Sequence, residues 1–168
     1  GNNVPKLELD KIDRRILALL QSNGRLSNLE IAEQVRLSPS PCLRRIRRLE
    51  EAGVIRGYVA LLEPTRIGLG LLAYVNVRLD KRHPGDGQGG SVIEHFRAVV
   101  DTWTEVVGCY AMAGDMDYLL RVHVRDMAHF SRFMQAQLLV HPSVVDVKTS
   151  FVLDQLKETT ALPLPQIG

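Results

Sequence analysis

Four arginines fall within five consecutive positions, Arg44-Arg45-Ile46-Arg47-Arg48, shortly after the run Ser38-Pro39-Ser40-Pro41. A guanidinium presents a flat fork of donors that fits two phosphate oxygens, or O6 and N7 of a guanine. A serine hydroxyl beside a helix start reaches a phosphate or a base edge. The chemistry on offer is recognition of a polyanion rather than bond making. Groups that make and break bonds do not converge. His83, His95, His123, His129 and His141 are scattered without metal-ligand spacing and without a nucleophile beside them, so neither catalysis nor a metal is expected. Cys42 and Cys109 belong to no Cys-x-x-Cys pair and read as small buried hydrophobes. The stretch Gly85-Asp86-Gly87-Gln88-Gly89-Gly90 has the glycines of a phosphate loop but no Gly-Lys-Ser/Thr ending, and reads as a loop insertion.

The elements that must carry the arginines are legible from caps and periodicity. Asp10 caps a helix starting at Lys11, with Asp13 near its positive end and Ile12, Ile16, Leu19 and Leu20 at helical spacing; Gly24 ends it. Ser27-Asn28-Leu29-Glu30 is a capping box for a second, short helix with Leu29, Ala32 and Val35 turned inward. Ser38 offers a capping hydroxyl, Pro39 suits the first helical position, and Pro41 still lies where the N–H has no intrahelical partner. A third helix then runs to about Ala52. Its spacing gathers Cys42, Leu43, Ile46 and Leu49 on one side, and Ser40, Arg44, Arg45 and Arg48 on the other, with Arg47 at the edge. Two short helices joined by a tight turn, the second with a cationic face, form a helix-turn-helix whose second helix enters a major groove of double-stranded DNA. Val54 to Leu62, with Gly57, reads as a β-hairpin wing.

The remainder reads as strand, helix, strand, strand, helix, strand. Ala73, Val75, Val77 and Leu79 alternate inward on the first strand. Ser91 caps a helix with the stripe Val92, Ile93, Phe96, Val99, Val100 and Trp103. Val106 to Ala113 and Asp117 to Arg125 pair as a hairpin around Gly114-Asp115-Met116, with Tyr118, Leu120, Val122 and Val124 inward. Asp126 caps a helix burying Phe130, Phe133, Met134 and Leu138, and the last strand turns Val145, Val147, Phe151 and Leu153 inward. The order βαββαβ is the ferredoxin-like split unit, which leaves one sheet face bare and best covered by a second copy of the chain. The predicted α+β organisation is a winged helix-turn-helix over residues 6–62, a hinge over 63–70, the βαββαβ unit over 71–156 and a C-terminal tail over 157–168.

Composition agrees with two soluble parts that have different partners. Hydrophobic residues are 45% and charged residues 24% of the 168, close to ordinary globular chains, which excludes a long disordered or collagen-like protein. Residues 1–57 hold eleven Lys and Arg against seven Asp and Glu, a net of +4, while 58–168 hold ten against twelve, a net of −2. A cationic first third suits a polyanionic partner. No run of about 18 apolar residues and no apolar leader is present, so the expected location is the cytoplasm, with no membrane partner.

The motifs Leu9-Asp10-x-x-Asp13, Asn23-Gly24-Arg25, Leu37-Ser38-Pro39-Ser40-Pro41-Cys42-Leu43-x-Arg45-Ile46-x-Arg48-Leu49-Glu50 and Gly114-Asp115-x-Asp117-Tyr118-Leu119-Leu120 closely resemble the leucine-responsive regulatory protein/AsnC (Lrp/AsnC) family of transcriptional regulators, from Lys6 to Leu162. The resemblance implies a winged helix-turn-helix joined to an effector (RAM-type) domain, dimers formed through the sheets, and octameric or similar rings. It implies DNA contacts from Ser38, Ser40, Pro41, Arg44, Arg45, Arg47 and Arg48. It further implies a small amino acid effector, leucine or methionine-like, and no other cofactor, bound near the Gly-Asp-x-Asp turn by Gly114, Asp115, Asp117 and Tyr118. A carboxylate there pairs the ligand ammonium, N–H groups near the glycine hold its carboxylate, and Met112 or Met134 supplies an apolar wall. Read from the residues alone, Asp115 and Asp117 are first of all turn formers. Two alternatives remain open. The sirohaem decarboxylases have a similar two-domain architecture in which a second-domain histidine serves chemistry, and an amino-acid-sensing module could act on a protein partner; both would leave the four arginines idle.

Overall fold

The computed structural model describes residues 7–80 and 91–168, so the glycine-rich stretch 85–90 and His83 lie outside the described residues. The chain divides into two compact units, Gly1–Leu61 joined by Lys157–Gly168, and Leu62–Leu156.

In the first unit, α1 (Lys11–Ser22) opens on a capping box in which Asp10 and Asp13 each accept the other's backbone N–H. A second box between Ser27 and Glu30 opens α2 (Asn28–Val35), which stops where Arg36 turns left-handed at φ 57°. The third helix, α3 (Pro39–Glu51), follows within three residues, and α2 with α3 makes the helix-turn-helix. Its core is Ile16, Leu17, Ile31, Ala32, Val35, Cys42, Ile46 and Leu49. Three expectations change. Leu29 is exposed, and Ile31 takes the inward place beside Ala32 and Val35. Ser38 stands at the N-cap of α3 but makes no side-chain capping bond, because the third helical residue, a usual donor to such a hydroxyl, is Pro41 and has no N–H. Residues 56–62 form no hairpin: they carry no strand, and no backbone–backbone hydrogen bond joins them to another segment among the described residues.

The last twelve residues lie along α1 as a strap. Leu164 and Ile167 pack against the core of this unit, Arg14 Nη1 donates to the Ile167 carbonyl at 2.9 Å, and Gln21 both donates to the Leu162 carbonyl (3.0 Å) and accepts its N–H (2.7 Å).

The second unit begins with a 3-10 turn, Pro64–Ile67, closed by Gly68 at φ 86°. It then builds β1 (Leu71–Leu79), α4 (Val92–Val100), β2 (Val106–Ala111), β3 (Tyr118–Val124), α5 (Met127–Phe133) and β4 (Val144–Phe151). The sheet is antiparallel in the order β2-β3-β1-β4, the ferredoxin-like arrangement. Both helices cover one face, over a core of Ala73, Val75, Val77, Phe96, Trp103, Leu120, Val122, Phe130, Phe133 and Leu138 among others. Helix α5 passes without a break into one wider π turn, Met134–Leu138. In β4 the ladder to β1 slips between Arg78 and Leu79, so that Val144 faces Leu79 while Val145 bulges out and is exposed. Leu153, past the end of β4, is also exposed rather than inward, and Ile93 and Cys109 are exposed.

Candidate functional site

Helix α3 presents its charged side chains in two sets. Apolar Cys42, Ile46 and Leu49 dock it on the core. Ser40, Arg44 and Arg47 follow one another at steps of four and three residues, so they make one stripe opposite the docked side, and all three are exposed. Arg44 and Arg47 form no ion pair among the described residues. Arg45 and Arg48 flank the docked side and are held by α1. Arg45 Nη1 donates to both oxygens of Asp10 (2.9 and 2.7 Å) and to Asp13 Oδ1 (3.1 Å), while Arg48 Nη2 donates to Asp13 Oδ2 (2.8 Å). The Asp13 side chain is 0% exposed, and those of Arg45 and Arg48 are 27% and 45% exposed. The Asp13 backbone N–H, followed by the Arg45 guanidinium, brings the Asp10 carboxyl down to about 2, and the same contact with Asp10 raises Arg45.

The expectation of a cationic face with Arg47 at its edge therefore changes. Arg47 lies on the exposed stripe with Ser40 and Arg44, whereas Arg45 and Arg48 are bound to carboxylates. Asp13 carried a signal in the sequence, since Asp13, Ile16, Leu17 and Leu20 share the apolar spacing of α1. Ser38, Pro39 and Ser40 are exposed at the start of α3, with the Ser38 hydroxyl released from capping, and Pro41 is half-buried.

In the second unit, a cavity of about 440 Å³ opens at the end of the sheet and is lined by Arg78, Leu79, Asp80, Gly114, Asp115, Asp117 and Val145. Three of the expected effector residues, Gly114, Asp115 and Asp117, meet here. Gly114 holds φ at 137°, which lets the chain turn sharply between β2 and β3. Asp117 is built into the sheet: its Oδ2 accepts the Leu79 N–H at 2.8 Å, its own N–H donates to Val77, and its carbonyl accepts from Met112. Asp115 is exposed and makes no side-chain hydrogen bond or ion pair among the described residues. Arg78, in the same lining, faces Asp146 at 3.7 Å. Carboxylate and guanidinium thus share one cavity with the apolar Leu79 and Val145, a combination that fits a zwitterion bearing an apolar group.

The other expected effector residues lie elsewhere. Tyr118 faces the helices and stacks on Phe96 at 5.3 Å, lining a separate, more apolar groove of about 490 Å³ between α4 and β2 with Arg97 and Cys109. Met134 is buried in the core, and Met112 is exposed beside the turn without lining the cavity. Arg78, Asp80 and Val145 were not singled out from the sequence. Among the described residues no cluster of His, Cys, Asp and Glu could hold a metal ion, and no helix is long and apolar enough to cross a membrane.

A helix-turn-helix with an exposed arginine stripe, joined to a ferredoxin-like unit with a zwitterion-sized cavity, defines a DNA-binding regulator with a ligand-binding domain. Comparison with known proteins gives the same class. Residues 9–56 match the model for winged helix-turn-helix DNA-binding domains and residues 72–162 match that for the Lrp/AsnC ligand-binding domain. The leucine-responsive regulatory proteins of Salmonella typhimurium and Escherichia coli are 41% and 40% identical over 158 residues, 94% of this chain and 93% of each of theirs. Among solved structures, a transcriptional regulator of Neisseria meningitidis in complex with L-methionine is similar at 48% identity and a TM-score of 0.85, covering 94% of this chain and 97% of that one. An AsnC-family regulator of Agrobacterium tumefaciens is similar at 39% identity and a TM-score of 0.82, covering 93% and 97%. The chain belongs to the Lrp/AsnC family of DNA-binding transcriptional regulators.

Proposed function

We propose that this regulator reads operator DNA with the Ser40–Arg44–Arg47 stripe of α3, helped by Ser38, and that methionine or leucine bound in the cavity beside the Gly114 turn changes its affinity for DNA or its assembly. The observation that carries the effector half is that both charges line one cavity, with Asp115 for an ammonium, Arg78 for a carboxylate, and Leu79 and Val145 for the side chain. The methionine complex of the Neisseria regulator supports an amino acid of that kind. The bare sheet face, with Tyr74, Leu119 and Tyr110 on it, and segment 56–62, which makes no backbone–backbone hydrogen bond among the described residues, both suit a second copy of the chain. A two-fold dimer sets two α3 helices on successive major grooves, and further association gives octameric or similar rings.

Selection of bound fragments from genomic DNA, with and without methionine and with and without leucine, tests the reading. Enrichment of discrete sites, with a different yield or affinity when one amino acid is present, is expected. Uniform recovery of all fragments would remove sequence-specific binding, and identical recovery under every condition would remove the effector.

A further inference from the structure

We propose that Asp13 is a positioning residue for DNA recognition: by binding Arg45 and Arg48 it fixes α3 on α1 and withholds two of the four α3 arginines from phosphate. The inference rests on the DNA-binding reading above and concerns what sets its specificity. The carboxylate of Asp13 has no solvent exposure, and each of its oxygens takes one guanidinium, Arg45 at 3.1 Å and Arg48 at 2.8 Å. Oδ2 also accepts the Asp10 N–H at 3.1 Å. A buried carboxylate is tolerated only with such partners, so the contacts persist as long as the helices are docked.

Geometry makes this more than a fastening. Arg45 and Arg48 stand three residues apart, about 4.5 Å along the axis of α3. A single anchor would let the helix pivot about its apolar contacts; two anchors on one buried carboxylate oppose both rotation and sliding. The Ser40–Arg44–Arg47 stripe is therefore presented in one orientation. Charge adds a second consequence. A guanidinium free to reach any phosphate strengthens binding to every sequence alike, and specificity is the ratio of operator to random binding. Holding Arg45 and Arg48 removes two such contacts, and Asp10, which also takes Arg45 at 2.7 Å, reinforces the retention.

The test uses the full chain and its Asp13→Asn variant, in which the amide oxygen can still accept the Asp10 N–H. Fluorescence anisotropy is followed on a selected operator duplex and on a scrambled duplex of equal length, over a range of salt concentrations. Asp13→Asn is expected to bind the scrambled duplex more tightly. Its plot of log affinity against log salt should steepen by up to about 0.9, from the one phosphate contact that Arg48 gains, since Asp10 still holds Arg45. The operator-to-scrambled ratio should fall by about tenfold or more. Arg48→Gln leaves Asp13 its Arg45 partner and frees no cation, so the ratio should fall without a rise in scrambled binding; this variant also serves if Asp13→Asn does not fold. NMR of the guanidinium N–H groups reports the clamp directly, with hindered rotation at Arg45 and Arg48 in the wild type and, in Asp13→Asn, freer rotation at Arg48 while Asp10 keeps Arg45 hindered. Folded variants with the wild-type ratio and salt slope, or freely rotating guanidinium groups in the wild type, overturn the proposal alone. A wild type that binds no duplex overturns the DNA-binding reading and the proposal together.

Discussion

Replacing Asp115 with alanine is expected to weaken methionine binding by roughly 10- to 100-fold while the unfolding midpoint stays where it is. The structure supplies both halves of the expectation. Asp115 lines the cavity, is exposed, and holds nothing else in place among the described residues. A ligand ammonium on its carboxylate makes a charge-assisted hydrogen bond worth about 1.5–3 kcal/mol. At about 1.4 kcal/mol per decade, that is one to two decades in Kd. Asp117 provides the contrast. Its Oδ2 accepts the Leu79 N–H at 2.8 Å, so Asp117→Ala leaves the N–H of buried Leu79, at the end of the inner strand β1, without that acceptor and costs about 1–3 kcal/mol of stability in addition to any loss of ligand. Calorimetric titration of L-methionine into wild type and both variants, with thermal melts of the same samples, separates the two. An Asp115→Ala protein that binds methionine with the wild-type Kd would refute the cavity assignment. One that melts as early as Asp117→Ala would refute the claim that Asp115 is structurally idle.

Three further outcomes are expected. Burial, and then the neighbouring His95, hold His141 below its ordinary value of 6.5; a folded pKa under the unfolded one makes protonation favour unfolding, so this contribution is intact above about pH 6.5 and is lost as the pH falls through that value towards the lower folded pKa. Melts of the wild type between about pH 8 and pH 5 should show the decline, and His141→Gln should flatten it. Gln21→Ala removes both hydrogen bonds to Leu162 and should destabilise the helix-turn-helix unit by about 1 kcal/mol in urea unfolding, with removal of residues 157–168 costing more because Leu164 and Ile167 leave the core with them. Phe96, 1% exposed and in contact with Trp103, Tyr118 and His141, should cost about 3–5 kcal/mol on truncation to alanine, read by the same unfolding.

Local chemistry was legible in the sequence and long-range geometry was not. The capping box of Ser27 and Glu30 and the cap at Ser91 are local, and the structure has both, adding Glu94 to the second as a full box. Alternation in β1 placed Ala73, Val75, Val77 and Leu79 inward, where they are buried. The fate of Arg45 and Arg48 depended on a partner more than thirty positions away, and only the apolar spacing around Asp13 hinted that this carboxylate would be buried and in need of cations. The release of Ser38 from capping was readable, since Pro41 lacks the N–H, yet the serine and proline pattern reads more readily as a cap. A single bulge sent Val145 outward into the cavity and undid the simple alternation of β4. The cavity itself gathers residues from three separated segments, the end of β1, the β2–β3 turn and the start of β4, so Arg78 and Asp80 gave no local sign of sharing it with Asp115.

The central claim is that the exposed arginines of α3 grip a duplex, and Arg44→Ala/Arg47→Ala tests it most directly. Neither side chain supports the fold, so the double variant should melt with the wild type. In anisotropy titrations on the selected operator its affinity should fall by about tenfold or more, and where both arginines meet phosphate its salt slope should fall by about 1.8. Wild-type affinity and slope in a correctly folded double variant would contradict the account.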